Sequence, residues 1–147
     1  MSYTRNYKIH TLKFTYLCFL HFILPVFNTF NALFQSEKPL VFMLYEESVR
    51  FLRIMCSQFL KAECYKNDEF DKFKNPSMIL PNNNIEIGHE TRKILISCKN
   101  DANYNKFMNV IIFFYQKVVE NSLKRLLISG VARGAEGLQP PRKVKKI

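Results

Sequence analysis

Apolar residues recur every three to four positions in three long stretches of the chain. In the first stretch, Leu12 to Gln35, a mainly apolar run from Phe14 to Leu24 is followed by further apolar residues separated by asparagines. This spacing is typical of a helix that packs one face against a core. Since a proline lacks the N–H of a helical hydrogen bond, we expect Pro25 to bend or divide this helix.

The second and third stretches have the same period. Leu40 to Lys61 follows Pro39, a residue suited to the first turn of a helix, and carries charged residues opposite its apolar face. On that charged face Glu46 precedes Arg50 by four positions, the favoured order for an ion pair. Asn103 to Leu127 carries a broad apolar stripe. The pattern therefore predicts a mainly α fold built around three long helices.

Between the second and third long helices the pattern predicts a loop and a short helix. Asn75 to Gly88 contains two prolines and three consecutive asparagines, which favour turns. Its apolar pieces, Met78 to Leu80 and Ile85 to Ile87, either anchor the loop in the core or pair as a minimal hairpin, and the pattern leaves both open. Glu90 to Cys98 has the spacing of a short helix, and Asp101 is suited to cap the last long helix.

The chain changes character after Ile128. Three of its four glycines and two of its six prolines lie between Gly130 and Pro141, and no apolar period continues there. We expect Gly130 to end the last helix. Residues 128–147 are then predicted to form a disordered basic tail that can be removed with little loss of helix.

Charge is concentrated at the two ends of the chain. The 147 residues carry a formal net charge of +10. Residues 1–13 contain three basic residues and no acid, residues 124–147 contain seven basic residues and one acid, and the region between is close to neutral. Such ends are expected to give weak, non-specific attraction to nucleic acid or anionic lipid, not a basic groove. The Lys-rich ending also matches short nuclear import signals.

The residues that usually carry chemistry form no recognisable site. Three of the four cysteines lie in apolar helical patterns, so we expect reduced and mostly buried thiols, and adding the three histidines completes no zinc-ligand spacing. These residues are Cys18, Cys56, Cys64, Cys98, His10, His21 and His89. Nucleotide-binding and nucleophile motifs are absent, and His89-Glu90 lacks the second histidine of a metalloprotease helix.

A charged run between residues 66 and 74 holds the remaining candidates for a metal site. Asp68, Glu69 and Asp71 lie there among three lysines. We interpret the run as a solvated charge cluster in an exposed connector or short helix. The sequence therefore predicts no catalytic residue, no cofactor and no metal ligand.

The N-terminal region also fits a different class of protein. Three basic residues followed by the apolar run 14–24 imitate a signal peptide or a membrane anchor. A spanning helix needs about 20 mainly apolar residues, whereas Pro25, Asn28 and Asn31 interrupt the run and no A-x-A cleavage site follows. We favour a helix buried in a soluble core, with a small membrane-anchored or secreted protein as the alternative.

Several pieces of the chain occur in the order in which a known family carries them. Tyr16 to Leu20 and Leu24 to Glu37 follow the pattern Y-L-x-F-L…L-P-x-x-N-x-x-N-x-x-F-Q-S-E, and this region resembles the hAT superfamily of transposases. The later similar pieces are Pro39 to Val41, Leu44-Tyr45, Phe59 to Lys61, Leu80-Pro81, Ile85 to Gly88, Asp101-Ala102, Phe113 to Lys117 and Lys124 to Leu126. The resemblance covers about residues 14–127.

The resemblance implies an origin and a loss of activity. Active hAT transposases have an RNase H-like fold in which three acidic residues hold divalent metal for DNA strand transfer, with a largely helical region inserted between the second and third. This chain is similar to that helical region alone. The resemblance therefore implies a truncated, non-catalytic fragment of nuclear location, with residual contacts to nucleic acid and self-association through exposed helix faces.

Overall fold

The computed structural model describes residues 2–35, 41–97 and 102–135. In these ranges the chain forms five α-helices, two short 3-10 helices and no β-strand. The α-helices are α1 (Ser2–Phe34), α2 (Val41–Ser57), α3 (Ala62–Lys66), α4 (His89–Ile96) and α5 (Ala102–Ala135), and the 3-10 helices are Phe70–Lys74 and Pro76–Met78. The predicted mainly α fold with three long helices is confirmed.

Helix α1 is longer than the apolar pattern predicts, because it starts at Ser2 and includes the basic N-terminal segment. It also continues through Pro25 without a break, so of the two effects expected of Pro25, a bend or a division, the division is wrong. The Thr29 hydroxyl donates a hydrogen bond of 2.9 Å to the Pro25 carbonyl. Residues on both sides of the proline, among them Ile23 and Val26, pack on the same core. This packing outweighs the about 3 kcal/mol that a proline inside a helix costs.

Helix α5 runs beyond the predicted end of its apolar stripe. It passes Gly130 and reaches Ala135, so the expectation that Gly130 ends the helix is wrong. A glycine inside a helix costs about 1 kcal/mol relative to alanine, which does not end a helix whose earlier turns are buried against a core. Residues 136–147, most of the predicted tail, lie outside the described residues, as do Cys98 and Asp101.

Helix α2 ends at Ser57, four residues before the predicted end. Turn hydrogen bonds of 3.2 Å from the amides of Gln58 and Phe59 to carbonyls three residues earlier tighten its exit. The charged run that follows, which the sequence predicts as an exposed connector or short helix, contributes the end of α3 and the first 3-10 helix. Two buried phenyl rings in this run, Phe70 and Phe73, anchor it to the core.

The central loop, residues 75–88, is hydrogen-bonded to the segment that follows α2. The Lys61 amide donates to the Met78 carbonyl at 2.9 Å and the Leu80 amide donates to the Phe59 carbonyl at 2.8 Å, which forms an isolated antiparallel bridge. The two isoleucines of the second apolar piece, 85–87, are fully buried. Of the two predicted alternatives, anchoring in the core is therefore confirmed, and pairing of the two loop pieces with each other is wrong.

The centre of the core is the fully buried ring of Tyr115 on α5. Its ring stacks on that of Phe59, with centroids 5.4 Å apart and planes 5° apart. Phe19 of α1 meets the same ring edge-on at 5.9 Å. The Tyr115 hydroxyl donates a 2.7 Å hydrogen bond to the carbonyl of Glu86 in the central loop. One side chain therefore joins α1, the exit of α2, the loop and α5.

The end of the central loop is held by Arg92 and shaped by Gly88. The Arg92 guanidinium donates to the carbonyls of Asn82, at 3.1 Å, and Ile85. Gly88 precedes α4 with φ 84° and ψ 151°, a conformation that is almost confined to glycine. A Cβ at this position would lie 2.7 Å from the ring of Phe22. Both the backbone angle and the closeness of α1 therefore require glycine here.

We predict that Gly88→Ala destabilises the protein, because it combines backbone strain of about 1–3 kcal/mol with a contact against Phe22. The free energy of unfolding, from urea titration followed by circular dichroism, should fall by at least that strain. Gly130→Ala is the matched control: the same chemical change inside α5 should be neutral or stabilising, since alanine is the better helix former. Equal stabilities for Gly88→Ala and the unaltered chain would contradict the assigned geometry.

Candidate functional site

Two of the three acidic residues of the charged run are engaged by cations. Asp68 accepts two hydrogen bonds of 2.8 Å from the guanidinium of Arg53, which lowers the pKa of the carboxyl. Glu69 forms an ion pair with Lys72, and Asp71 is exposed. Across the part of the chain that the structure describes, no three His, Cys, Asp or Glu side chains are grouped so that they could hold a metal ion.

Among the described residues, the histidine and cysteine candidates form no group that could hold a metal ion either. His89 is exposed at the start of α4, and the adjacent Glu90 pairs with Lys93 at 3.4 Å. Cys56 and Cys64 are fully buried and free, as predicted, whereas Cys18 is only half-buried. Burial raises the pKa of the Cys56 thiol to about 12. A thiol with this pKa stays protonated at neutral pH and is a poor nucleophile and metal ligand.

A basic cluster surrounds one acidic residue on α5. Glu120 accepts hydrogen bonds from Lys117 at 2.9 Å and Lys74 at 3.3 Å, and Lys124 lies 3.8 Å away. These lysines, Lys117 first, lower the pKa of Glu120 to about 2. The cluster keeps an excess of positive charge beside the exposed ring of Phe113, which lies 5.5 Å from the Lys117 ammonium.

The sequence contains only part of the signal for this cluster. Lys117 and Lys124 lie three and four positions from Glu120, a spacing that predicts neighbours on a helix surface. Lys74 comes from the first 3-10 helix, 46 residues earlier. Its contact depends on the docking of the charged run against α5, which no local pattern reveals.

The outward face of α1 carries an exposed apolar stripe. Its four side chains are Phe14, Leu17, Leu20 and Leu24, with exposed fractions of 58%, 61%, 41% and 49%. Between residues 10 and 34 the helix is long and apolar enough to cross a membrane, and only 11% of its most apolar window is buried. Core helices and signal sequences can share this composition. The prediction of a buried helix therefore holds for the inner face, which includes Phe19 and Ile23.

A cleft of about 390 Å³ lies between α1 and α2. Its lining is Pro25, Val26, Thr29, Phe30, Leu33, Glu47, Arg50, Phe51 and Ile54. The Arg50 guanidinium pairs at 3.7 Å with Glu47, three positions before it. The spacing predicts Glu46 as the partner instead. The Thr29 hydroxyl already donates to the Pro25 carbonyl. The cleft is therefore mainly apolar, and its two charged side chains are paired with each other.

Comparison of the chain with models of protein families, with curated protein sequences and with solved structures found no match.

We predict that the stabilisation contributed by Glu120 is lost in acid. Its folded-state pKa of about 2 is below the usual 4.5, so on acidification the unfolded chain takes up the proton first. The contribution is present above about pH 4.5 and is lost as the pH falls towards 2. The melting temperature of Glu120→Gln should be below that of the unaltered chain at neutral pH, and the two should converge in acid.

Glu90→Gln serves as the control for this titration, because the pair of Glu90 with Lys93 is exposed on both sides. Solvent screens such a pair, so its removal should leave the melting temperature nearly unchanged at every pH. A difference for Glu120→Gln that stayed constant from neutral pH to pH 2 would show that the lysines do not act on this carboxylate.

Proposed function

We propose that the protein is a non-catalytic helical fragment derived from a hAT-like transposase, and that any activity it retains is binding. One observation carries the proposal: sequence pieces that resemble the hAT family are far apart along the chain but meet at Tyr115. Phe19 belongs to the first piece, Phe59 to the piece after α2, and Glu86 to the central loop.

This convergence supports the proposal because it gives the resemblance a physical reason. Residues that stack on a buried ring, or accept a hydrogen bond from its hydroxyl, are constrained together by packing density and by the cost of an unpaired buried polar group. Phe114, next to Tyr115, contacts Phe27, which belongs to the Leu24 to Glu37 piece. The two ring centroids are 6.2 Å apart. An ancestral helical region would keep such a set even after the surrounding protein was lost.

The engaged carboxylates support the non-catalytic part of the proposal. Metal-assisted phosphoryl transfer needs oxygen ligands that are free to hold a cation against both the attacking and the leaving group. Asp68 and Glu69 instead face Arg53 and Lys72. A metal ion would have to displace an arginine that binds through two hydrogen bonds, which is a strong form of charge-assisted pairing.

We predict that the purified chain neither nicks nor joins DNA in magnesium or manganese. The measurement is conversion of supercoiled plasmid over time at both metals, with Asp68→Asn and Asp71→Asn prepared in parallel. Any trace activity from contaminants should be the same in all three preparations. Metal-dependent cleavage that disappears in Asp68→Asn or Asp71→Asn would overturn the non-catalytic assignment.

The proposed descent from a transposase can be tested separately, by examining the neighbouring reading frames in the genome. A transposase origin predicts upstream frames that encode the acidic strands of an RNase H-like domain, intact or decayed. Neighbouring frames without such strands would argue against descent while leaving the binding role open.

Residual nucleic-acid contact is expected from the ends of the chain. Residues 136–147 hold four basic residues and one acid. We predict DNA binding that is independent of sequence, because such side chains reach phosphate and not base edges. It should fall steeply between about 50 and 200 mM salt, and a chain ending at Ala135 should show a weaker salt dependence. Sequence-selective binding that survives truncation would place recognition on the helical body instead.

One observation favours a second candidate, the membrane-anchored or secreted protein. Residues 10–34 of α1 are long and apolar enough to span a bilayer. Fractionation after expression separates the two candidates, since an anchored protein needs detergent to leave the membrane and a soluble fragment does not.

A further inference from the structure

We propose that the outward face of α1 lies on the surface of a membrane that contains anionic lipid. The four side chains of the exposed apolar stripe follow one another over three turns of the helix and are about half exposed. Contiguous exposed apolar side chains on a folded protein mark a surface that another apolar phase covers. This inference does not depend on the transposase ancestry.

The charge of α1 identifies the kind of surface. The helix spans 33 residues from Ser2 to Phe34 without a single acidic residue, and it contains Arg5, Lys8 and Lys13. Lys13 is exposed next to Phe14. An exposed apolar face beside a cation, on a helix that has three basic residues and no acid, matches the composition of helices that lie in the headgroup region of anionic membranes.

The geometry favours lying on the membrane over crossing it. Residues 10–34 are long enough to span, but the exposed apolar stripe, residues 14–24, covers about 15 Å along the helix axis, about half of the roughly 30 Å hydrocarbon core. Beyond Leu24 the outward positions include Asn28 and Asn31, both exposed. On the inner face Phe19 and Ile23 are buried in the protein core, and this contact would be lost if α1 left the bundle to span a bilayer.

A second copy of the chain fits the stripe less well. A stable protein interface uses roughly 20–30 residues per side, and the stripe offers four apolar side chains. The formal charge of +10 on each chain opposes self-association. Nucleic acid matches the cations, but its phosphate backbone offers no apolar phase for the leucines.

The experiment uses the full chain with one fluorescent reporter. The sequence contains no tryptophan, so Leu17→Trp places a single indole in the stripe. Phe113→Trp, on α5, is the control, because Phe113 and Leu17 have nearly equal exposed fractions, 59% and 61%. Vesicles of phosphatidylcholine alone and vesicles with added phosphatidylserine are compared at low salt.

We expect the emission of Leu17→Trp to shift to the blue with phosphatidylserine vesicles and not with neutral ones, while Phe113→Trp stays unchanged. Brominated lipids should quench the Leu17→Trp signal most strongly when the bromine lies near the headgroups, about 5–10 Å into the boundary. Strongest quenching from the bilayer centre would mean that the helix spans, and would overturn the proposal.

Two sets of variants separate the apolar contribution from the charge. Leu17→Asn with Leu24→Asn should weaken vesicle co-sedimentation by about tenfold or more, whereas Val110→Asn with Phe113→Asn, exposed on α5, should leave it unchanged. Lys13→Gln should weaken it by about fivefold, and Lys106→Gln on α5 should have less effect. Circular dichroism of each variant verifies that the helices are retained.

Four results would overturn the proposal. The first is the absence of vesicle binding, and the second is equal binding to neutral and anionic vesicles. The third is a blue shift of Leu17→Trp that grows with protein concentration in the absence of lipid, which would assign the stripe to a second copy. The fourth is DNA binding that the Leu17→Asn and Leu24→Asn pair abolishes without any effect on vesicles.

Discussion

The burial of Tyr115 is the interaction on which the rest of the structure depends. A loop without regular structure must still satisfy its buried backbone groups, and the phenol hydroxyl supplies a donor to the Glu86 carbonyl. Burial raises the pKa of this hydroxyl, which keeps it protonated as a donor. Arg92 supplies further donors to the same loop. With the loop fixed, Gly88 can start α4 directly against α1.

The helices whose apolar residues recur at one regular spacing could be predicted from the sequence. Helix α5 and the inner face of α1 repeat apolar residues at three- to four-residue spacing, and the structure buries those residues, including Phe107 and Ile111. The start of α1 could not be predicted in this way, since residues 1–13 carry little apolar pattern. Neither Pro25 nor Gly130 ends its helix, because a local penalty of a few kcal/mol is small beside the tertiary packing of a long helix.

The features of the candidate site that escaped prediction are contacts between distant segments. Asp68 pairs with an arginine 15 residues earlier, and Lys74 reaches Glu120 across 46 residues. Neither pair has a fixed sequence spacing, because both depend on how the charged run turns back over α2 and α5. The buried rings of Phe70 and Phe73 hold that turn against the core. Because both lie within a polar run, the apolar spacing of the sequence does not identify them as core residues.

The order of the helices along the chain has a consequence for synthesis. The inner face of α1 is completed by α5, which begins about seventy residues after α1 ends. At a ribosomal rate of about 5–20 residues per second, α1 waits several seconds for the tyrosine that covers it. During that interval α2 can cover only the part of α1 around Phe27 and Phe30, and the face that packs on α5 stays exposed. The nascent chain therefore presents a long acid-free segment to chaperones and targeting factors before the fold that buries its inner face can exist.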